Sequence, residues 1–437
     1  MSRSTTDATK RSRLMTVIAL VGALGLVAAA CGDDDDAATD ATTTTASPTD
    51  SSDTTDTTSA ETESEGTEEP AGDMQGLITK AFQTEVDESE LDPLILETFE
   101  RAGTELSEEQ MDLAFECWST ARCEIPEGGD VVLGIADGFG DNTWRKFSHM
   151  EAILQALTWP EIGEIAYTNA SGDLAAMQTN VRSLSAQGAD IILTYNDFGP
   201  AMYPVYAQAQ NDGAIVAAYV SPSPEGEDSV GVTVTADLCQ VGTDMAEASS
   251  ELTEGAGRLA LFTGTPGNPQ GAAWQACTEE AVDATDMEIV YKGDTNWTPA
   301  GAFEAASALI GTGEQVDVIL YDYSTPFVQV TEAYVQAGAA PPDYMAWTMD
   351  NGLFCQWEEM QGGPNEFNLY YTHSLNWAAG TAVTAAMKKL GGEEVASQIT
   401  YPMPFVPAEE GLCESDKPGD FPASTLVPDS LVERMLG

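Results

Sequence analysis

DVVLGIADGFGDNTWRKF, residues 130–147, is the stretch from which the fold can be read. Val131, Val132, Leu133 and Ile135 make a short apolar run rich in β-branched residues, the pattern of a strand covered on both faces in a parallel sheet. Gly138 and Gly140 allow the turn that must follow, and Asp141 or Asn142 can cap a helix whose first turn holds Trp144 and Arg145. A strand, a glycine turn and a helix N-terminus bring an aromatic ring and hydrogen-bonding groups to the carboxyl end of a strand, where open α/β sheets bind ligands. A first βα unit with a passive loop accounts for this stretch equally well.

Downstream, strand-like runs alternate with helical stretches. Strands are expected over Ile162–Tyr167, Asp190–Leu193, Ala214–Tyr219 and Val230–Thr235, with helices over Arg145–Leu157, Leu174–Gln187 and Ala201–Asn211. The rhythm resumes with a helix from Gln240, then strands over Arg258–Thr263, Glu288–Tyr291, Asp317–Tyr321 and Tyr344–Thr348, again separated by helical segments. Such alternation marks parallel sheets with helices on both faces. The strands are too numerous for one comfortable sheet, so the region divides near Ala236. The expected fold class is α/β, with two doubly wound parallel-sheet lobes.

Composition narrows the function. A chain of 437 residues can bury more than one core. Its 16 Lys and Arg against 72 Asp and Glu leave a net charge of −56, which repels nucleic acid and anionic membrane surfaces, and no basic stripe reverses this locally. With His149 and His373 the only imidazoles, zinc chemistry and a histidine-assisted nucleophile have little support; no Gly-x-Ser-x-Gly elbow occurs, and an enzyme is not expected. The run Gly264–Gly271 lacks the Gly-Lys-Ser/Thr of a phosphate loop. Neither cofactor nor metal is expected.

At the start, Lys10, Arg11 and Arg13 precede an apolar run from Leu14 to Ala30, as in a secretory signal. Its end, Ala28-Ala29-Ala30-Cys31-Gly32, resembles a bacterial lipoprotein signal, in which the cysteine is lipidated, although Ala28 stands where Leu is common. An uncleaved anchor helix is the alternative, since roughly 18–20 apolar residues span a bilayer. Both readings put the rest of the chain outside the cytoplasm, at the cell membrane. Residues 31–73, with Asp33–Asp36 and repeated Thr, Ser, Asp and Glu, cannot bury enough apolar surface to offset their ordering entropy and read as a disordered acidic tether. Residues 74–128 read as a helical appendage, from the spacing of Leu91, Leu94, Leu96 and Phe99, then Met111, Leu113, Phe115 and Trp118.

Residues from about 130 to 405 resemble a type I periplasmic binding protein of the ribose-binding, sugar-transport group. The resemblance rests on Ile135–Trp144, on Gly172-Asp173 with Gln178 and Gln187–Leu193, on Ala214–Val216, on Val234–Asp237 with Gly242, and on Gly264–Asn268, in this order. It implies two lobes joined by three hinge crossings near Thr235–Asp237, Thr348–Asn351 and Thr400–Pro404. The N-lobe is then 129–235 with 351–400, and the C-lobe 236–350 with 401–437. It further implies a monomeric substrate-binding lipoprotein that closes on a sugar, polyol or nucleoside-like solute and presents it to an ABC permease. A ligand-sensing lipoprotein that passes its solute to a signalling receptor uses the same lobes.

Residue by residue, the family's site falls on Asn142, Trp144, Asn196, Trp274, Trp297, Tyr323, Asp350 and His373, with Ser374 beside it. Aromatic faces suit sugar C–H surfaces, and amide or carboxylate groups suit hydroxyls. Each has a plainer reading: core aromatics for Trp144 and Trp297, interlobe packing for Trp274, a hinge cap for Asp350 and a structural imidazole for His373. Val220-Ser221 stands where these sugar binders commonly carry Asp-Arg, and Trp274 where Arg is frequent, so a larger or partly apolar solute is compatible.

Once Cys31 is assigned to lipid, six cysteines remain in an oxidising compartment, which favours disulfides. The expected pairs are Cys117–Cys123, Cys239–Cys277 and Cys355–Cys413, though six cysteines admit other connectivities. Replacing Cys31 with Ala is expected to release the protein from membranes or leave the precursor unprocessed. Fractionation showing normal processing and membrane retention would refute the lipid reading.

Overall fold

The computed structural model describes residues 74–140, 142–222 and 229–437; the signal sequence, Cys31 and the 31–73 tether lie outside them. Three helices come first, α1 (Met74–Phe82), α2 (Pro93–Ala102) and α3 (Glu108–Ser119), then β1 (Arg122–Glu124). The first lobe continues with β2 (Val131–Asp137), α4 (Thr143–Leu157), β3 (Ile162–Asn169), α5 (Leu174–Ala186), β4 (Ile191–Thr194), α6 (Tyr203–Asn211), β5 (Ile215–Tyr219) and β6 (Val232–Ala236). The second lobe takes up α7 (Leu238–Leu252), β7 (Arg258–Thr263), α8 (Pro269–Val282), β8 (Glu288–Asp294), α9 (Pro299–Thr312), β9 (Val318–Tyr321), α10 (Phe327–Ala337), β10 (Asp343–Ala346), α11 (Asn351–Met360) and β11 (Leu369–Tyr371). The chain then forms α12 (Ala378–Leu390), β12 (Gln398–Tyr401), β13 (Val406–Pro407) and α13 (Asp429–Leu436).

The first sheet runs β1-β3-β2-β4-β5-β6-β12 and the second β13-β11-β10-β9-β7-β8. Only the edge strands β1 and β13 pair antiparallel. Both lobes thus repeat one doubly wound order, with the first strand of each lobe between its second and third. Strands buried along their length, such as Ile191–Thr194 and Val318–Tyr321, require this two-sided helical cover. Side-chain caps start the helices: Asn142 for α4, Asp237 for α7, Asn268 followed by Pro269 for α8 and Thr298 followed by Pro299 for α9.

Two lobe boundaries differ from the sequence reading. The second crossing is not at Thr348–Asn351: β11 extends the second sheet, with Leu369 opposite Tyr344 and Tyr371 opposite Ala346, so the chain returns to the first lobe only between β11 and α12. Leu369–Tyr371 is too short a strand for its pattern to announce it. Residues 401–437 do not stay with the second lobe either. Cys355–Cys413 and the bonds from Asn351 Nδ2 to the Glu414 and Lys417 carbonyls hold the chain against α11. From Ser424 onward it lies on the first lobe, where Thr425 Oγ1 and Leu426 N donate to Glu151 Oε1 at 2.9 and 2.7 Å and Arg434 pairs with Asp112. The lobes are therefore linked by four crossings rather than three. Cys117–Cys123 and Cys239–Cys277 are also joined, as the sequence reading has it.

The helices before β1 are part of the first lobe's core. Helix α12, from Ala378 to Met387, is buried all round and reads AAGTAVTAAM, without a charged residue. A helix with no polar face must be covered on every side. The sheet and α4 cover part of it and α2 another part, while α1 packs on Trp377 at its N-terminus. Trp377 packs its ring 5.1 Å from Phe82 and 5.2 Å from Phe99, its Nε1 donates to the Ala81 carbonyl, and Thr98 bonds Thr384. Phe99→Ala is expected to destabilise the whole first lobe by about 3–5 kcal/mol, measured by denaturant unfolding. A loss confined to the 74–128 helices would contradict the shared core.

Candidate functional site

In this strand order ligands sit where the winding reverses, outside the carboxyl ends of the first and third strands. Both lobes present that point to one cavity of ≈ 220 Å3 between them. From the first lobe it is lined by Phe139, Asn142, Trp144 and Arg145 after β2, Ser171 after β3, Tyr195 after β4 and Val220 after β5. The second lobe contributes Gln270 at the start of α8, Asn296–Thr298 after β8, Asp322 and Tyr323 after β9, and Thr348 after β10. The lobes are closed on one another: Tyr195 Oη donates to Gln270 Oε1 at 2.5 Å, and Thr143 Oγ1 to Asp420 Oδ2 at 2.5 Å.

On the first lobe, Asn142 Oδ1 caps α4 by accepting from Arg145 N at 2.8 Å, which turns the first helical turn inward. The Trp144 indole stacks on Tyr219 and meets the Tyr195 ring edge-on, and its Nε1 donates to the Ser374 carbonyl. Arg145 is 3% exposed. Its Nη2 bonds Asp197 Oδ1 at 2.6 Å, its Nη1 lies 3.7 Å from Asp137 Oδ1, and the guanidinium covers the Tyr195 face at 3.7 Å from the centroid. Burial disfavours its charge, but Asp197 and Asp137 outweigh that and raise its pKa, so Arg145 stays cationic. Burial pushes the Asp197 carboxyl up to about 7, with Arg145 opposing and Asp137 adding to the rise. Gly138 is required here, since a Cβ would lie 2.2 Å from Asp197 Oδ2.

On the second lobe, Asp322 is the organiser. Its Oδ2 accepts from Thr263 Oγ1 at 2.6 Å and Trp274 Nε1 at 3.0 Å, and its Oδ1 from Trp297 Nε1 at 2.9 Å. Burial still pushes this carboxyl up to about 6 against those donors. The Trp297 indole lies flat on Gly264, where a Cβ would come within 2.0 Å of the ring. Ser171, Val220, Asn296, Trp297 and Thr348, all lining the cavity, have φ between 48° and 59°. Non-glycine residues held in this sparsely populated region cluster where a site is preorganised.

Of the residues singled out from sequence, the fold brings Asn142, Trp144, Trp297 and Tyr323 to the cavity wall. The other four lie behind it. Asn196 is fully buried between Tyr195 and Asp197, its carbonyl accepting from Ser221 Oγ. Trp274 is fully buried, beside Trp347 and under Asp322. Asp350 caps α11 through Leu353 N, and burial pushes its carboxyl up to about 7. His373 is a core imidazole, stacked on Trp377 with Nε2 against the Pro402 carbonyl. Sequence reasoning missed Arg145, Tyr195, Gln270 and Asp322. A usable signal existed for Asp137 and Asp322, which end apolar strands facing a switch point, whereas a buried guanidinium facing them is visible only in three dimensions. Among the described residues no group of three or more His, Cys, Asp or Glu could hold a metal ion.

Two doubly wound lobes closed over a small, mixed aromatic and polar cavity define a hinged binding protein. The chain belongs to the periplasmic binding protein domain family, whose profile matches residues 135–354. The xylitol-binding protein of Mycolicibacterium smegmatis is 22% identical over 250 residues, covering 56% of this chain and 68% of the relative. The fold is shared with an ABC transporter solute-binding protein from Bacillus halodurans with bound myo-inositol (TM-score 0.56, 14% identity, 65% of this chain and 96% of that one). It is shared equally with the periplasmic component of an arabinose ABC transporter from Shewanella, bound to L-arabinofuranose (TM-score 0.56, 16% identity, 63% and 92%). The family and these neighbours are solute-binding proteins, and membership implies a location outside the cytoplasm. No helix among the described residues is long and apolar enough to cross a membrane.

Burial holds His373 down to about 4 and His149 to about 3. In the unfolded chain both protonate below about pH 6.5. Each therefore withdraws stability as pH falls from there toward its folded value, on the order of 1.4 kcal/mol per pH unit per ring. Imidazole proton shifts followed by NMR are expected to stay constant from pH 8 to 5. Titration of His373 near 6.5 would show it to be solvated rather than core.

Proposed function

We propose that this protein is an extracytoplasmic substrate-binding lipoprotein of an ABC importer that captures a neutral sugar or polyol between its lobes. The observation that carries the reading is the cavity itself: small, closed from both sides, and walled by Trp144, Tyr195, Trp297 and Tyr323 with Arg145, Gln270 and Asp322 between them. Aromatic faces take the C–H surfaces of a sugar and fixed donors and acceptors take its hydroxyls. The relatives named for xylitol, myo-inositol and arabinose support that solute class, and lipid attachment at Cys31 would keep the domain near a permease.

The lobes must open to admit solute, and reclosing buries Trp144 and Trp297 against it. Tryptophan fluorescence is therefore expected to change on addition of xylitol, myo-inositol or L-arabinose, and calorimetry to give saturable binding for at least one. Trp144→Ala and Trp297→Ala are each expected to weaken that binding by roughly 2–4 kcal/mol, as for aromatic anchors in desolvated pockets. Near-native affinity in both variants would remove this cavity as the binding site.

A further inference from the structure

Two hydrogen bonds that join the lobes differ in where they lie. Tyr195 and Gln270 both line the solute cavity. Thr143 and Asp420 do not: they line a separate surface cleft of ≈ 190 Å3, together with Lys146, Phe147 and Pro418. The second-lobe side of that cleft is the C-terminal tail, and residues 411–423 of the tail are fastened to the start of α11. Glu358 Oε1 accepts from Gly411 N and Cys413 N at 2.8 and 3.0 Å, and Asn351 Oδ1 accepts from Glu414 N at 2.8 Å. Gly352 N and Asn351 N donate to the Gly419 and Phe421 carbonyls, and Ala423 N to the Met349 carbonyl. Cys355–Cys413 adds a covalent link. Over this stretch the tail therefore moves with the second lobe.

From that footing the tail reaches across to α4. Thr143 Oγ1 donates to Asp420 Oδ2 at 2.5 Å, and the buried Phe147 meets Phe421 edge-on with ring centroids 6.3 Å apart. Residues four apart share one face of a helix, so the tail holds one face of the turn whose Trp144 and Arg145 line the solute cavity.

We propose that residues 418–421 form a strap that holds the lobes closed from outside the cavity, so that the tail, and not the solute alone, sets how much of the protein is closed. Opening that carries α4 away from α11 breaks Thr143–Asp420 and parts Phe147 from Phe421, because each pair has one member on either rigid lobe. A contact made in only one of two states shifts their equilibrium by its own free energy. Apparent affinity scales with the population of the competent state, so Asp420 controls solute affinity without lining the solute cavity. This goes beyond the solute-binding reading, and its first test needs no solute.

Spin labels on Gln208→Cys in α6 and Glu304→Cys in α9, exposed positions on opposite lobes, report the interlobe distance of the full chain by pulsed electron resonance. Without solute, the labelled protein is expected to show a closed population that Thr143→Val and Asp420→Ala each reduce at least threefold relative to the open one. Calorimetry with xylitol, myo-inositol and L-arabinose should then show affinity for whichever binds falling about 3–10-fold, the lower end for a hydrogen bond to a charged group because Asp420 is half-buried. The double variant should lose no more than either single one, since both remove the same bond. Arg434→Ala loosens the tail only within the first lobe and should change neither readout. Thr143→Val, which exchanges a hydroxyl for a methyl, carries the test if Asp420→Ala does not fold. A solute-free protein that is entirely open overturns the strap, as do variants that keep the parent distance distribution or, for a solute that binds, affinity within twofold. An equal shift in Arg434→Ala, or additive losses in the double variant, also overturns it. If none of the three solutes binds, the sugar reading fails, and the distance measurement alone decides the strap.

Discussion

The site depends on one guanidinium buried between two carboxylates. Arg145 could not be taken out of water without Asp197 and Asp137, and neither carboxylate could be left beside Gly138 without Arg145. Such a cluster is weak support for stability, because desolvation offsets much of its Coulomb attraction. Its effect is positional. It ties the loop after β2 to the loop after β4, lays the cation on the Tyr195 ring, and so fixes the hydroxyl that reaches Gln270 on the other lobe. The closed geometry of the cleft is thus written into buried charge on one side of it.

The second lobe reaches the equivalent position by different means. Asp322, at the end of β9, holds Trp274 from behind and Trp297 from the side, and Gly264 lets the Trp297 ring lie against the backbone. Two tryptophans that the family resemblance assigned to the same site therefore part company. One becomes support, fully buried, and the other becomes wall.

Four crossings and a buried α12 qualify the picture of two free lobes. The tail from Cys413 is clipped to α11 at one end and docks on Glu151 of α4 at the other. Any opening must be absorbed by the few residues at the crossings while the lobes stay rigid. The helices before β1 contribute by covering α12, whose small side chains let the sheet, α4 and α2 approach closely.

By itself the sequence determined the alternation of strands and helices, the division into two lobes near Ala236, and the place of the site after β2, because apolar period and glycine turns are local properties. It offered the three disulfide pairs as one connectivity among several, and the family resemblance named Asn142, Trp144, Trp297 and Tyr323, which the fold brings to the cavity wall. Only the tertiary structure decided that β11 belongs to the second sheet and that the tail returns to the first lobe, since a three-residue strand and an irregular tail take their partners from contacts distant in sequence. It alone separated Trp297 from Trp274 and His373 from the site, and brought Arg145 and Asp322 into it. Burial and pairing of a charged side chain depend on which loops meet at the end of a sheet, and no periodicity along one segment carries that information.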